Sequence, residues 1–275
     1  MSKVVFCNND ITDVKYSGFT ITKMYACGGE LVYEYERPTP SNPIARVYYS
    51  NEWLEIGDDD SNSAVTSGEV NTWLTSTERS GFTTLFMYDN CKEVGNSAFS
   101  DCSSLSSITS WGVVEVIGER AFKSCYRIKS VYLPCHIREV GNYAFWECYG
   151  MTSATICNSS NDISIGKFAF AACGLSELNL GQKVTTIGNA AFYQNRLTAV
   201  TIPSSVTSIG DNAFGNNTGM TKVTMESTTP PTVTSTTFGQ NDTYPIVVPD
   251  GYKHNYQIAS GWSTYANRIK YIYEI

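Results

Sequence analysis

The residues best equipped for chemistry are nine cysteines, two histidines and one acidic run. The run Asp58-Asp-Asp60-Ser-Asn62, with Glu69 eleven residues after Asp58, matches the oxygen ligands at positions 1, 3, 5 and 12 of a calcium-binding EF-hand loop. Ser63 stands where that loop takes a glycine for its sharp turn, and no entering helix precedes it. The competing reading is a solvated acidic loop that ends in a helix cap, with Thr66-Ser-Gly-Glu69 as a capping box opening a helix through Trp73 and Leu74. Calcium at Asp58, Asp60, Asn62 and Glu69 is left open. His136 follows Cys135 directly, and in an extended segment such neighbours point to opposite faces, so they cannot work as nucleophile and base. Both are read as solvated polar residues. There is no C-x-x-C, which removes zinc ribbons and thioredoxin-like exchange, and no G-x-S-x-G, Walker A, H-E-x-x-H or G-x-G-x-x-G. Carboxylates are scattered, so no paired acid and base can be argued. The expectation is no enzyme, no catalytic residue, no metal and no cofactor.

The cysteines have a pattern of their own. Cys102, Cys125, Cys148 and Cys173 are spaced 23, 23 and 25 residues apart, and the next two steps of 22 land on Asn195 and Asn217. A position that takes Cys or Asn at a fixed period is read as a buried small side chain, its thiols reduced. Cys7, Cys27, Cys91, Cys135 and Cys157 stand outside this ladder, and a Cys7–Cys27 bridge remains open.

The same period runs through the segments that must position these residues. Val94-Gly-Asn-Ser-Ala-Phe99, Ile117-Gly-Glu-Arg-Ala-Phe122, Val140-Gly-Asn-Tyr-Ala-Phe145, Ile165-Gly-Lys-Phe-Ala-Phe170, Ile187-Gly-Asn-Ala-Ala-Phe192 and Ile209-Gly-Asp-Asn-Ala-Phe214 are six copies of one phrase, with glycines 23, 23, 25, 22 and 22 residues apart. Three residues after each Phe comes the Cys or Asn, followed by an apolar alternation such as Ile128, Val131, Leu133 or Leu197, Val200, Ile202, closing on Pro134 and Pro203. The alternation predicts a short strand with one face inward. The glycine after a β-branched residue predicts a turn where a side chain would clash or φ is positive, and the Phe fills the space between stacked coils. One coil of about 22 residues cannot bury enough apolar surface to offset its conformational entropy, so the copies must stack.

This combination resembles the BspA-like, or Treponema-type, leucine-rich repeat family, whose motif runs C-x-x-L-x-x-I-x-L-P and then I-G-x-x-A-F. The resemblance covers residues 82–225, with Phe82, Leu85 and Met87 as the strand half of a preceding, incomplete coil. It implies a mainly β chain with short helices and turns, a right-handed solenoid closed by caps, and a binding role at a cell or particle surface.

The flanks divide the chain further. Residues 1–43 read as a small β module, with strands near 19–25 and 31–35 joined at Gly28-Gly29, followed by a Pro-rich linker. The phrase from Ile21 to Tyr33 resembles small N-terminal modules of phage tail and other virion proteins of gut bacteria. Residues 44–81 read as an N-terminal cap. Residues 226–275 read as a C-terminal cap, with a strand at Ile246-Val-Val-Pro249 and an aromatic helical segment from Tyr252 to Tyr265, similar to the cap of this repeat family.

The surface left for function is the outer side of the strand ladder. The side chains between core positions there are Ser107, Thr109, Ser130, Tyr132, Ser153, Thr155, Glu177, Asn179, Ala199, Thr201, Lys222 and Thr224. Of these, Thr109, Ser130, Tyr132, Ser153, Thr155, Glu177, Asn179, Thr201, Lys222 and Thr224 are the candidate binding residues. Such a face suits a host-surface protein or glycan through many modest hydrogen bonds, and Tyr126, Tyr132, Trp146 and Tyr149 are its aromatic anchors wherever exposed. The N-terminal module is expected to attach the protein to a virion or surface assembly, as a homo-oligomer. The expected role is a virion-associated attachment or decoration protein on a virion surface; the alternative is a bacterial cell-surface or secreted adhesin binding host protein or glycan, and an enzyme module ranks last.

Composition agrees. With 275 residues, 42% hydrophobic and 16% charged, the chain carries enough apolar side chains for a core and few ionisable groups. A net charge of −7 argues against nucleic acid and anionic membranes as partners. No apolar run reaches the length of a membrane helix, and Met1 to Asp10 has no signal-peptide pattern. Sequons at Asn158, Asn216 and Asn241 decide nothing here.

Overall fold

A computed structural model describes residues 20–27, 30–36, 40–57, 63–239 and 243–275. Strands β1 (Thr20–Cys27) and β2 (Glu30–Glu36) pair antiparallel, as the alternation of the N-terminal module predicts. Cys7 and the Gly28-Gly29 junction lie outside the described residues. The cap begins with β3 (Pro43–Tyr49) and β4 (Glu52–Gly57), an antiparallel pair. After β5 (Ala64–Val65) come two short helices, α1 (Ser67–Trp73) and α2 (Ser76–Gly81). The expected capping box opens α1, and a second one, Thr75 with Glu78, opens α2.

Each coil then contributes a strand on the outer face and, except in the coil of β14, a shorter one on a second face: β6 (Thr84–Met87) and β7 (Glu93–Val94), β8 (Ser107–Trp111) and β9 (Val116–Ile117), β10 (Ser130–Leu133) and β11 (Glu139–Val140). The series continues with β12 (Ser153–Ile156) and β13 (Ile163–Ile165), β14 (Glu177–Asn179) and β15 (Val184–Ile187), β16 (Ala199–Ile202) and β17 (Ser208–Ile209), and β18 (Lys222–Met225). The C-terminal cap adds β19 (Ile246–Val247), helix α3 (Lys253–Ile258), a 3-10 turn at Ser263–Tyr265 and a strand the sequence reading lacked, β20 (Ile269–Lys270). The short strands make one continuous parallel sheet in the order β17-β15-β13-β11-β9-β7-β5. The outer face is instead three sheets, β4-β3-β6-β8, β10-β12-β14 and β16-β18-β19-β20. At the N-terminal end β3 pairs antiparallel with β6, which covers the edge an open solenoid would leave exposed.

The core is a column of rings. Phe99, Phe122, Phe145, Phe170, Phe192, Phe214 and Phe238 are fully buried, with successive centroids 5.0–6.1 Å apart and planes within 15°. In the turns bearing these rings, each Phe N–H from Phe99 to Phe214 donates to a carbonyl of the following turn, Phe122 to that of Ala144 at 2.8 Å and Phe145 to that of Ala169 at 2.8 Å. On the second face the polarity is reversed, Gly141 N–H donating back to the Ile117 carbonyl at 2.7 Å.

The repeat glycine serves one of the two purposes its sequence position suggested. A Cβ on Gly141 would stand 2.7 Å from the carbonyl carbon of Gly118, so glycine is required because two backbones meet there. Its φ is not positive. The left-handed conformation falls two residues later, on Arg120 (φ 55°) and Tyr143 (φ 58°), and recurs after the Phe on Ser124 (φ 59°) and Glu147 (φ 63°). The coil-to-coil hydrogen bonds over-determine those residues, so a conformation that usually favours glycine is held without it.

Candidate binding face

The candidate side chains fall in register. Ser130, Ser153 and Glu177 form one rung across β10, β12 and β14, and Tyr132, Thr155 and Asn179 form the next. Ala199 pairs with Lys222 and Thr201 with Thr224 across β16 and β18. Alternation keeps Val131, Leu133, Ala154, Ile156, Val200 and Ile202 buried on the inner side. Thr109 is displaced. A bulge in β8 sets Phe86 opposite Ser110 and Met87 opposite Trp111, so Ser110 takes the rung and Thr109 donates through Oγ1 to the Leu85 carbonyl at 3.3 Å. The reason is one extra residue between Ile108 and the apolar Trp111.

Two sets of hydroxyls behave differently. One residue before the face strand, Thr152 Oγ1 donates to the Lys129 carbonyl (3.3 Å), Ser176 Oγ to that of Thr152 (3.2 Å) and Thr221 Oγ1 to that of Thr198 (2.8 Å). These hydroxyls tie coil to coil. The rung side chains Ser130, Tyr132, Ser153, Thr155, Thr201 and Thr224 make no side-chain hydrogen bond among the described residues. Part of the Ser/Thr content is therefore structural, and the rung groups are free for a partner.

Tyr132 is 60% exposed, Tyr149 58% and Tyr126 44%. Tyr126 and Tyr149 occupy the same position in successive coils and stack with centroids 5.7 Å apart and planes 5° from parallel. The Tyr149 hydroxyl is held above its usual pKa, first by local desolvation and then by the Glu147 carboxylate. Trp146 is not part of this surface. It lies half-buried in the turn after Phe145, with Lys123 Nζ 5.1 Å from its ring centroid.

The face is interrupted between β14 and β16, which do not pair. Glycine spacing falls from 25 to 22 residues at this coil, and its face strand shortens to three residues with Leu178 only half-buried. The result is a cleft of about 390 Å³ lined by Asn179, Gln182, Thr201 and Glu226 over Leu178 and Val200. Gln182 Nε2 donates to Glu226 Oε2 at 3.2 Å. Gln182 and Glu226 are missing from the sequence-derived set because they lie beyond the strands, where alternation carries no signal.

The other candidates separate. Asp58, Asp60 and Asn62 lie outside the described residues. Glu69 Oε2 accepts from the Thr66 backbone N–H at 2.6 Å and from Thr66 Oγ1 at 2.9 Å, so the carboxylate serves the helix cap. Among the described residues no cluster of His, Cys, Asp and Glu is placed to hold a metal. Cys102, Cys125, Cys148 and Cys173 are buried and free, as their period implies. Burial pushes the Cys102 and Cys173 thiols up to about 12 and those of Cys125 and Cys148 well above their ordinary value. They are protonated at neutral pH and cannot act as nucleophiles. Cys135 is exposed, as the sequence reading expects, but it is bridged to Cys157, a pairing that reading did not make. Their separation of 22 residues, one repeat, is the signal that would have shown them as neighbours on adjacent coils.

The family model of the BspA type leucine rich repeat region matches residues 77–194 and 151–257, in six copies, and the chain belongs to that family. No curated protein matches the chain. Among the solved structures similar at low identity are the following three. The pneumococcal vaccine antigen PcpA is 15% identical over 69% of this chain and 66% of that one, with a TM-score of 0.41, so this chain spans just under two thirds of it. A leucine rich cell surface protein from Faecalibacterium prausnitzii A2-165 is 16% identical over 84% and 77% (TM-score 0.40), and a leucine-rich repeat protein from Bacteroides ovatus ATCC 8483 is 14% identical over 89% and 81% (TM-score 0.33). The N-terminal resemblance to phage modules finds no support among them. No helix among the described residues is long and apolar enough to cross a membrane.

Proposed function

We propose that this chain is a non-catalytic attachment protein of a cell surface, binding a host-surface protein or glycan through the outer face of β10, β12, β14 and β16. The observation that carries the reading is the split between hydroxyls: Thr152, Ser176 and Thr221, each just before a face strand, are used up in joining coils, while the rung hydroxyls of Ser130, Tyr132, Ser153, Thr155, Thr201 and Thr224 bond to nothing among the described residues and the rings of Tyr126, Tyr132 and Tyr149 stand exposed. Aromatic rings beside free hydroxyls and amides suit a partner that offers both apolar faces and hydrogen-bonding groups. Each contact is weak, so useful attachment draws on many rungs or several copies. Residues 1–43 are the proposed anchor to a surface assembly or oligomer. The family membership supports location at a cell surface; a virion location rests on the phrase from Ile21 to Tyr33.

The test is binding of the intact protein to host cells and to immobilised glycans, compared with a Tyr132→Ala/Thr155→Ala double variant. A loss of about tenfold or more in affinity at unchanged thermal stability is expected. Full binding by the double variant, and by a second one altered at Tyr126 and Tyr149, would overturn the assignment of this face.

A further inference from the structure

Glycine spacing along the solenoid is 22 or 23 residues except between Gly141 and Gly166, where it is 25. The added length lies in residues 157–162, and besides the Cys157 N–H donating to the Leu133 carbonyl at 3.4 Å, three side-chain connections hold it to the preceding coil. One is the Cys135–Cys157 disulfide; the others are Ser159 Oγ donating to the Ile137 carbonyl at 3.2 Å and Asn161 Nδ2 donating to the His136 carbonyl at 3.5 Å. Pairing of Leu133 with Ile156 brings the strand ends together and leaves the two cysteine Cα atoms 4.9 Å apart, a span a disulfide bridges without moving backbone. Cys135 is exposed and Cys157 is largely covered, so one sulfur is within reach of a solvent thiol. The ladder cysteines are sealed in the core beside the phenylalanines.

We infer that the chain matures in an oxidising compartment and that Cys135–Cys157 is a maturation cross-link stapling the enlarged coil to its neighbour. The oxidant is a disulfide-bearing exchange partner. Two S–H bonds of the chain and one S–S bond of the partner break, one S–S bond of the chain and two partner S–H bonds form, and two electrons and two protons pass to the partner. In a reducing cytosol a bond with an exposed sulfur is opened by the thiol pool, so its presence marks the compartment. The staple joins the ends of β10 and β12, the strands that carry Tyr132 and Thr155, but the inference does not depend on what they bind.

The experiment uses protein recovered from its native source without reductant, alkylated while folded and mapped by mass spectrometry. Cys135 and Cys157 are expected in one linked peptide, with Cys102, Cys125, Cys148 and Cys173 alkylated only after denaturation. Alkyl groups on both Cys135 and Cys157 before any reduction would overturn the inference. Opening the bond with reductant is expected to lower Tm by roughly 5–10 °C. A Cys135→Ser/Cys157→Ser variant should show the lowered Tm with and without reductant. An unchanged Tm in wild-type protein whose bond is shown to be open would remove the stapling role, and this measurement holds even if the variant fails to fold.

Discussion

Asn195 donates its side-chain amide to the carbonyl oxygen of Phe170 at 2.8 Å, in the slot where, one coil earlier, Cys173 donates its thiol to the Phe145 carbonyl at 3.1 Å. Cys125 to Phe99 (3.1 Å), Cys148 to Phe122 (3.2 Å) and Asn217 to Phe192 (3.0 Å) repeat the contact. From Cys125 onward the ladder position is thus a buried donor to the turn carbonyl of the preceding coil, while Cys102, in the first copy, donates to the Ser100 carbonyl of its own coil at 3.9 Å. Asn does more, since Asn195 Oδ1 also accepts from the N–H groups of Gly174 and Leu175, both at 2.9 Å.

Removing that donor leaves a buried carbonyl with one partner fewer, so Cys148→Ala should cost about 1–3 kcal/mol. Cys148→Asn should cost less than Cys148→Ala. Denaturant midpoints of the two variants make the comparison.

The ladder thiols also predict alkaline sensitivity. The folded-state pKa values are raised, about 12 for Cys102 and Cys173, above an unfolded value near 9. The folded state therefore holds more protons between those values, and stability is complete below about pH 8.5 and falls as pH rises toward 12. A denaturation series from pH 7 to 11 should show the decline, and a Cys173→Asn variant should show less of it.

Phe145 lies between Phe122 (5.2 Å) and Phe170 (5.0 Å), and Phe145→Ala should cost about 3–5 kcal/mol. Gly141→Ala should also destabilise, by about 1–3 kcal/mol or more, because the added methyl meets the Gly118 backbone rather than a side chain able to move. Chemical denaturation measures both, and a neutral Gly141→Ala would contradict the close coil approach.

Thr221 and Thr224 are three residues apart with opposite expectations. Thr221→Val removes the bond to the Thr198 carbonyl and should cost about 0.5–1.5 kcal/mol. Thr224→Val removes a hydroxyl with no hydrogen bond among the described residues and should leave stability within about 0.5 kcal/mol. The pair checks the division between structural and available hydroxyls by thermal melts alone.

Glu69→Ala should lower stability by about 1 kcal/mol, the usual worth of a helix cap, to the same extent with and without chelator. A loss seen only when calcium is present in the wild-type comparison would move Glu69 back among the metal ligands.

The sequence alone determined the solenoid, the buried phenylalanines, the cap of α1 and the identity of the rungs, because each depends on a local pattern repeated at a fixed period. Ser130 and Ser153 share a rung because they are one repeat apart, and any stacking in register must align them. What only the tertiary structure decided are the departures from that period. The extra residue before Trp111 displaced Thr109 from its rung, and the fall in glycine spacing from 25 to 22 residues parted β14 from β16. Positive φ likewise fell on Arg120 and Tyr143 rather than on the repeat glycine, because hydrogen bonds from the neighbouring coil hold those residues there. A repeat announces what its copies have in common. How unequal copies accommodate one another is settled by closing each chain length over the same column of rings, which is a property of the packed stack rather than of any one coil.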